Sequence, residues 1–218
     1  MKLSENITVF ELPGCNVFLI KGNKNILIDT GMPNCREQLT EQLKSELGNS
    51  NELDEILLTH HDIDHIGNLY ALQKGYSARA YIDEKDLPYA TGEKHRPGVK
   101  RIIESILKAD IAKNILPFEE HPQNEIDLIS MPGHTPGHTI FKYQEFIFVG
   151  DLFHTKDGHI TPVKSFMNSD IKEMAKSIDK LCKMQAKMLC PSHGQPVLYT
   201  DEIRGELRKL RNHYDSSM

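Results

Sequence analysis

Cysteine is scarce and scattered in this sequence: 218 residues hold four, Cys15, Cys35, Cys182 and Cys190, with no CxxC pair. That spacing argues against a disulfide framework and a thiolate zinc site, and reads as four reduced structural thiols. No apolar run is long enough to span a bilayer, and no apolar h-region follows Met1-Lys2-Leu3-Ser4-Glu5-Asn6. No membrane association or secretory signal is therefore expected, and the chain reads as cytoplasmic. A net charge of -5 and a pI near 6.1 give no broad positive field, so nucleic acid is not favoured as a bulk partner. Gly-rich phosphate loops and a Gly-x-Ser-x-Gly elbow are both missing, which removes support for nucleotide binding and for serine hydrolysis.

The length suits one domain over residues 1–218, and the chain is long enough to bury a sizeable core. Short runs rich in β-branched and aromatic residues, at 7–12, 16–20 and 25–29, read as a β-meander. Leu39, Leu43 and Leu47 recur at helical spacing before Gly48, and predict an amphipathic helix over 34–47. A buried strand is expected over 53–59, a further one over 77–82, and a helix over about 98–114. The broken polar stretch and helix at 83–115 read as a lid-like insertion. The second half offers strands near 125–130, 139–143, 146–149 and 188–190, with helices over 170–185 and 201–212. Ser169 or Asp170 is placed to cap the first of these helices. Together the elements predict an α/β fold of the four-layer αββα sandwich type.

Histidine and aspartate gather where strands end, in four blocks: His60 to His65, His134, Asp151 and His193. Imidazole nitrogens and carboxylate oxygens are ligands for zinc, iron or manganese. Within the first block His60, Asp62 and Asp64 alternate and His65 follows at once, which puts four donors into six residues. So dense a cluster is a metal-site pattern rather than a solvated loop.

That block, Thr59-His60-His61-Asp62-Ile63-Asp64-His65-Ile66-Gly67, resembles the His-x-His-x-Asp-His signature of the metallo-β-lactamase fold hydrolases, a group that includes glyoxalase II and lactonases. The remaining motifs follow in the family's order: Asp29 in Leu27-Ile28-Asp29-Thr30-Gly31, His134 in Pro132-Gly133-His134-Thr135, Asp151 in Val149-Gly150-Asp151 and His193 in Ser192-His193-Gly194. The resemblance implies a first metal held by His60, Asp62 and His134. It implies a second held by Asp64, His65 and His193, with Asp151 bridging the two. Asp64 and Asp151 are the implied catalytic carboxylates. The implied activity is attack by a metal-bound hydroxide on a small ester, thioester, lactone or related substrate.

One position departs from the family pattern, because the second histidine of the signature is Asp62 here. A hard anionic ligand favours iron or manganese relative to the zinc that would otherwise be expected in a two-ion centre. The diiron flavoproteins of this fold also carry a carboxylate there, so a non-haem iron oxidoreductase is the alternative to a hydrolase. A non-catalytic binder and a nuclease are weaker alternatives. Around the signature, Asp29 is expected either to orient a ligand or to serve a turn. His61 and His138 read as supporting or surface residues. His154 reads as solvated, with a pocket-lining role as the alternative, and His95, His121, His159 and His213 fall outside every motif. The basic run Glu93 to Arg101 reads as a solvated face, with capture of an anionic substrate group as the alternative. Tyr89 fits either a pocket rim or packing beneath the lid.

Overall fold

A computed structural model describes residues 1–48, 52–107, 109–122 and 125–216, with the side chains at 99 and 103–105 set aside. The backbone divides into two units, 1–121 and 122–218.

In the first unit, strands β1 (Ile7–Leu12), β2 (Cys15–Lys21) and β3 (Asn25–Ile28) form the expected antiparallel meander. A 3-10 turn, Pro33–Cys35, leads into α1 (Arg36–Leu47). Next come β4 (Glu55–Leu57), α2 (Ile63–Ile66), α3 (Leu69–Tyr76), β5 (Arg79–Ile82), α4 (Leu87–Ala90), α5 (Val99–Leu107) and β6 (Ile115–Pro117). The six strands make one sheet in sequence order, antiparallel through β3 and parallel from β3 onward. Leu39, Leu43 and Leu47 of α1 enter the same core as Val17, Leu19, Leu27 and Ile56 of the sheet, as their spacing required. Segment 83–115 thus supplies α4 and α5, and its last residue opens β6. The helix expected over 98–114 is shorter, with position 108 outside the described residues.

The second unit holds β7 (Asp127–Ser130), β8 (Thr139–Tyr143), β9 (Phe146–Gly150), the hairpin β10 (His154–Lys156) and β11 (His159–Thr161), α6 (Ile171–Cys182), β12 (Met188–Pro191), β13 (Val197–Leu198) and α7 (Asp201–Ser216). Five strands form a sheet in the order β13-β12-β9-β8-β7, with β12 and β9 parallel. Met174, Ile178 and Leu181 of α6 and Leu207 and Tyr214 of α7 share a core with Ile140, Ile147 and Leu189 of the strands. Asp170 is the N-cap of α6, its carboxylate accepting from the Lys172 and Glu173 backbone N–H groups. Among the described residues no helix is long and apolar enough to cross a membrane.

Candidate metal centre

Parallel pairing explains how each unit gathers its donors. In the first unit Ile28 of β3 pairs with Leu57 of β4, so both strands end together and the residues that follow emerge side by side. Asp29 follows β3 with φ of +62°, a left-handed conformation that aspartate tolerates better than most side chains. Its backbone N–H donates to the Leu57 carbonyl at 3.0 Å, and its carboxylate, 1 % exposed, turns toward the His60–His65 loop. Asp29 Oδ1 accepts from the Thr59 backbone N–H at 2.8 Å. Oδ2 accepts from the Thr59 hydroxyl at 2.8 Å and from His65 Nδ1 at 2.9 Å. A carboxylate only accepts, so the His65 proton is on Nδ1 and Nε2 carries the lone pair. The Thr59 hydroxyl, its proton given to Asp29, accepts from His60 Nδ1 at 3.0 Å, which fixes the same tautomer on His60.

The Nε2 atoms of both rings face carboxylates. His60 Nε2 lies 3.5 Å from Asp62 Oδ2, and His65 Nε2 lies 3.6 Å from Asp64 Oδ2. Gly67 closes the loop against the Asp29 turn, because a Cβ there would sit 2.5 Å from the Gly31 carbonyl oxygen and 2.6 Å from the Pro33 nitrogen.

Segment 83–115 packs on this loop through His61. That ring stacks on Tyr89 with centroids 4.5 Å apart, and its Nδ1 is 2.9 Å from the buried Asp86 carboxylate, which also accepts from the His61 backbone N–H. Arg96 Nε donates to the His61 carbonyl at 3.0 Å. Lys100 Nζ lies 2.6 Å from Asp62 Oδ2. The solvated-face reading of the basic run is therefore corrected for Arg96 and Lys100, which are buried by these contacts, while Lys94, His95 and Arg101 are exposed as that reading required. His121, set apart from the motifs, is buried against the Glu55 carboxylate at 3.1 Å.

In the second unit Pro191 of β12 pairs with Gly150 of β9, and the two parallel strands deliver His193 and Asp151 to one end of the sheet. His193 Nε2 is 3.3 Å from Asp151 Oδ1, and His134 Nε2 is 3.6 Å from Asp151 Oδ2. Each carboxylate oxygen thus faces a different imidazole, the arrangement a bridging ligand needs. His134 Nδ1 donates to Asn168 Oδ1 at 3.0 Å. The loop is strapped to the start of α6 by the Ser169 N–H on the His134 carbonyl and the Asp170 N–H on the Gly133 carbonyl. His138 accepts from the Asp151 backbone N–H at Nε2, 3.0 Å, which leaves Nδ1 to donate to the Met131 carbonyl at 3.2 Å. Both ring nitrogens of His138 are thus engaged, and the ring supports the Asp151 backbone. Gly194, at φ of +89°, is required beside His193 because a Cβ would fall 2.0 Å from the Thr155 carbonyl oxygen.

His154 corrects a second expectation. Instead of being merely solvated, its ring lies 4.5 Å from that of His193, and Asp151, His154 and His193 form one of the clusters able to hold an ion. Sequence spacing gave no sign of Thr59, Asn168, Asp86 or Lys100 as partners, since each acts through the fold. Among the cysteines, all four free, burial pushes the Cys15 thiol up to about 12 and raises that of Cys190 further. Neither is a thiolate near neutral pH.

These strands, turns and donor clusters define a metallo-hydrolase of the metallo-β-lactamase α/β fold. The metallo-beta-lactamase superfamily model matches residues 11–193, and the chain belongs to that superfamily. Its curated relatives include the probable metallo-hydrolase YflN of Bacillus subtilis, 27 % identical, with 88 % of this chain and 83 % of that protein covered. A putative diflavin flavoprotein of Nostoc sp. is 33 % identical over 63 % of this chain and 23 % of its own length. Among solved structures, BJP-1, a subclass B3 metallo-beta-lactamase of Bradyrhizobium japonicum, superposes with a TM-score of 0.75 at 19 % identity, covering 100 % of this chain and 92 % of that one.

Proposed function

We propose that the chain is a cytoplasmic hydrolase of a small ester, thioester, lactone or related molecule. Its proposed divalent-metal ligands are His60, Asp62, Asp64 and His65 of the first unit and His134, Asp151 and His193 of the second. Asp62 takes the place of the family signature's second histidine. The observation that carries this reading is the spacing of donors within each unit. Two donors at 2.0–2.2 Å from a tetrahedral ion stand about 3.4 Å apart. The four nitrogen–carboxylate pairs lie at 3.5, 3.6, 3.6 and 3.3 Å. The bracing of His60, His65 and His134 at Nδ1 also fits, since each then offers Nε2.

Bound divalent ions supply a water of lowered pKa and a Lewis acid for the oxygen of the electrophile. The chain's own part is positional. Asp29 and Thr59 hold two imidazoles in the ligand tautomer, and Asp151, its backbone tied by His138, offers one oxygen to His134 and the other to His193. Asp64 is the open carboxylate, its side chain 24 % exposed against 9 % for Asp62 and 8 % for Asp151.

Zinc is the default ion for imidazole-rich donors, and the Asp62 carboxylate favours iron or manganese. The same carboxylate, with the similarity to a diflavin flavoprotein, supports a non-haem iron oxidoreductase as the second reading. Elemental analysis of protein purified without added metal, joined to a panel of thioester, lactone, phosphodiester and β-lactam substrates, separates the two. Ester or lactone turnover with zinc or manganese is the expected result. Tightly held iron with oxygen consumption and no hydrolysis selects the oxidoreductase.

A further inference from the structure

Asp62 is the N-cap of α2, a position where aspartate ordinarily accepts from the first backbone N–H groups of the helix. Its carboxylate makes no such bond. Oδ2 is instead 2.6 Å from Lys100 Nζ, with both side chains 9 % exposed. The same oxygen faces His60 Nε2 at 3.5 Å, the separation of two donors on one ion. Lys100 is held in place by its own segment, because Arg96 four residues earlier donates to the carbonyl of His61, the residue next to Asp62. The carboxylate is thus engaged by an ammonium at the oxygen that an ion would need.

We propose that Lys100 is an internal counter-cation for Asp62, so that the first metal position loads far more weakly than the second. The proposal rests on Asp62 being a ligand, as read above. The chain then holds one divalent ion tightly and takes a second only when that ion displaces the Lys100 ammonium from Asp62. The Asp62–Lys100 pair is neutral overall. Until that displacement it cancels the negative charge that aspartate adds relative to histidine.

The test uses the full chain, stripped of metal, as wild type, Lys100→Met and Lys100→Gln. Each is titrated with Zn2+ or Mn2+ by calorimetry, and the metal retained per chain is measured after gel filtration. Circular dichroism melts establish that each variant folds, and Lys100→Gln, which keeps a polar group beside Asp62, carries the test alone if Lys100→Met does not. The expected result is one retained ion in the wild type and two in either Lys100 variant, with second-ion affinity raised on the order of 10-fold or more, because a cation within a few ångströms no longer opposes the incoming one. Two equally tight ions in the wild type, or unchanged second-ion affinity in the folded variants, overturns the proposal and leaves the metal-centre reading standing. No retained ion in any of the three overturns both.

Discussion

Replacing Asp29 by asparagine tests whether the fold prepares a histidine for metal. Asparagine suits the left-handed backbone as aspartate does, so strain at φ of +62° does not confuse the outcome. The aspartate receives the Thr59 backbone N–H at 2.8 Å, the Thr59 hydroxyl at 2.8 Å and His65 Nδ1 at 2.9 Å. An asparagine keeps one carbonyl oxygen for the backbone N–H. Its amide then meets two groups that were both donors, and His65 relieves the clash by moving its proton to Nε2, the atom needed by the ion. The lost charge-assisted hydrogen bond is worth about 1.5–3 kcal/mol. Losses of bracing partners of this kind weaken metal binding about 10–100-fold, or about 1.4–2.7 kcal/mol, the same range. Competition against a chromophoric chelator at fixed pH should show that loss. The metal-free variant should melt about 3–12 °C lower, at roughly 2–4 °C per kcal/mol for a chain of this size. Metal affinity within twofold of the wild type would refute the assignment of Asp29 as the residue that sets the His65 tautomer.

Leu43→Ala, at a fully buried α1 position, should lower urea-unfolding stability by about 2–5 kcal/mol with little change in metal binding. Glu55 makes stability acid-sensitive: burial pushes its carboxyl up, but hydrogen bonds from His121 and Lys24 outweigh that and leave it below the usual value. A lowered carboxyl stabilises the fold above the ordinary range near 4.5 and loses that contribution as pH falls through its folded value, so Glu55→Gln should flatten the stability profile below about pH 5. An unchanged profile would remove Glu55 from the account. Alkylation of the native chain at pH 8 should mark Cys182, half-buried, well before Cys15 and Cys190, as peptide mass mapping would read.

Much of this was legible in one dimension. The meander, α1, α6 and α7 announce themselves by period and by turn residues, and the donors by their density at strand ends. The unread parts share a physical cause. Lys100 is 38 positions from Asp62 and Asn168 is 34 from His134, so their pairing is created by chain folding and leaves no local spacing to detect. The basic run looked solvated because charge is usually exposed, and buried lysine is the exception that a nearby carboxylate permits. Helix α3 leaves little mark in the sequence because its eight residues are too short to establish a period and contain Gly75. His154 lies in β10, a three-residue strand in a hairpin with no hydrophobic pattern, and its contacts with His193 and Asp151 are what give it meaning.

The braces on His60, His65 and His134 have a consequence for how the protein matures. Thr59, Asp29 and Asn168 set these rings by contacts that involve no ion. At these three rings an arriving metal has little ordering left to impose, so loading can follow folding, and one ion can be exchanged for another without dismantling the chain. The metal found in the purified protein would then reflect the supply of the compartment in which it was made as much as the preference of its ligands.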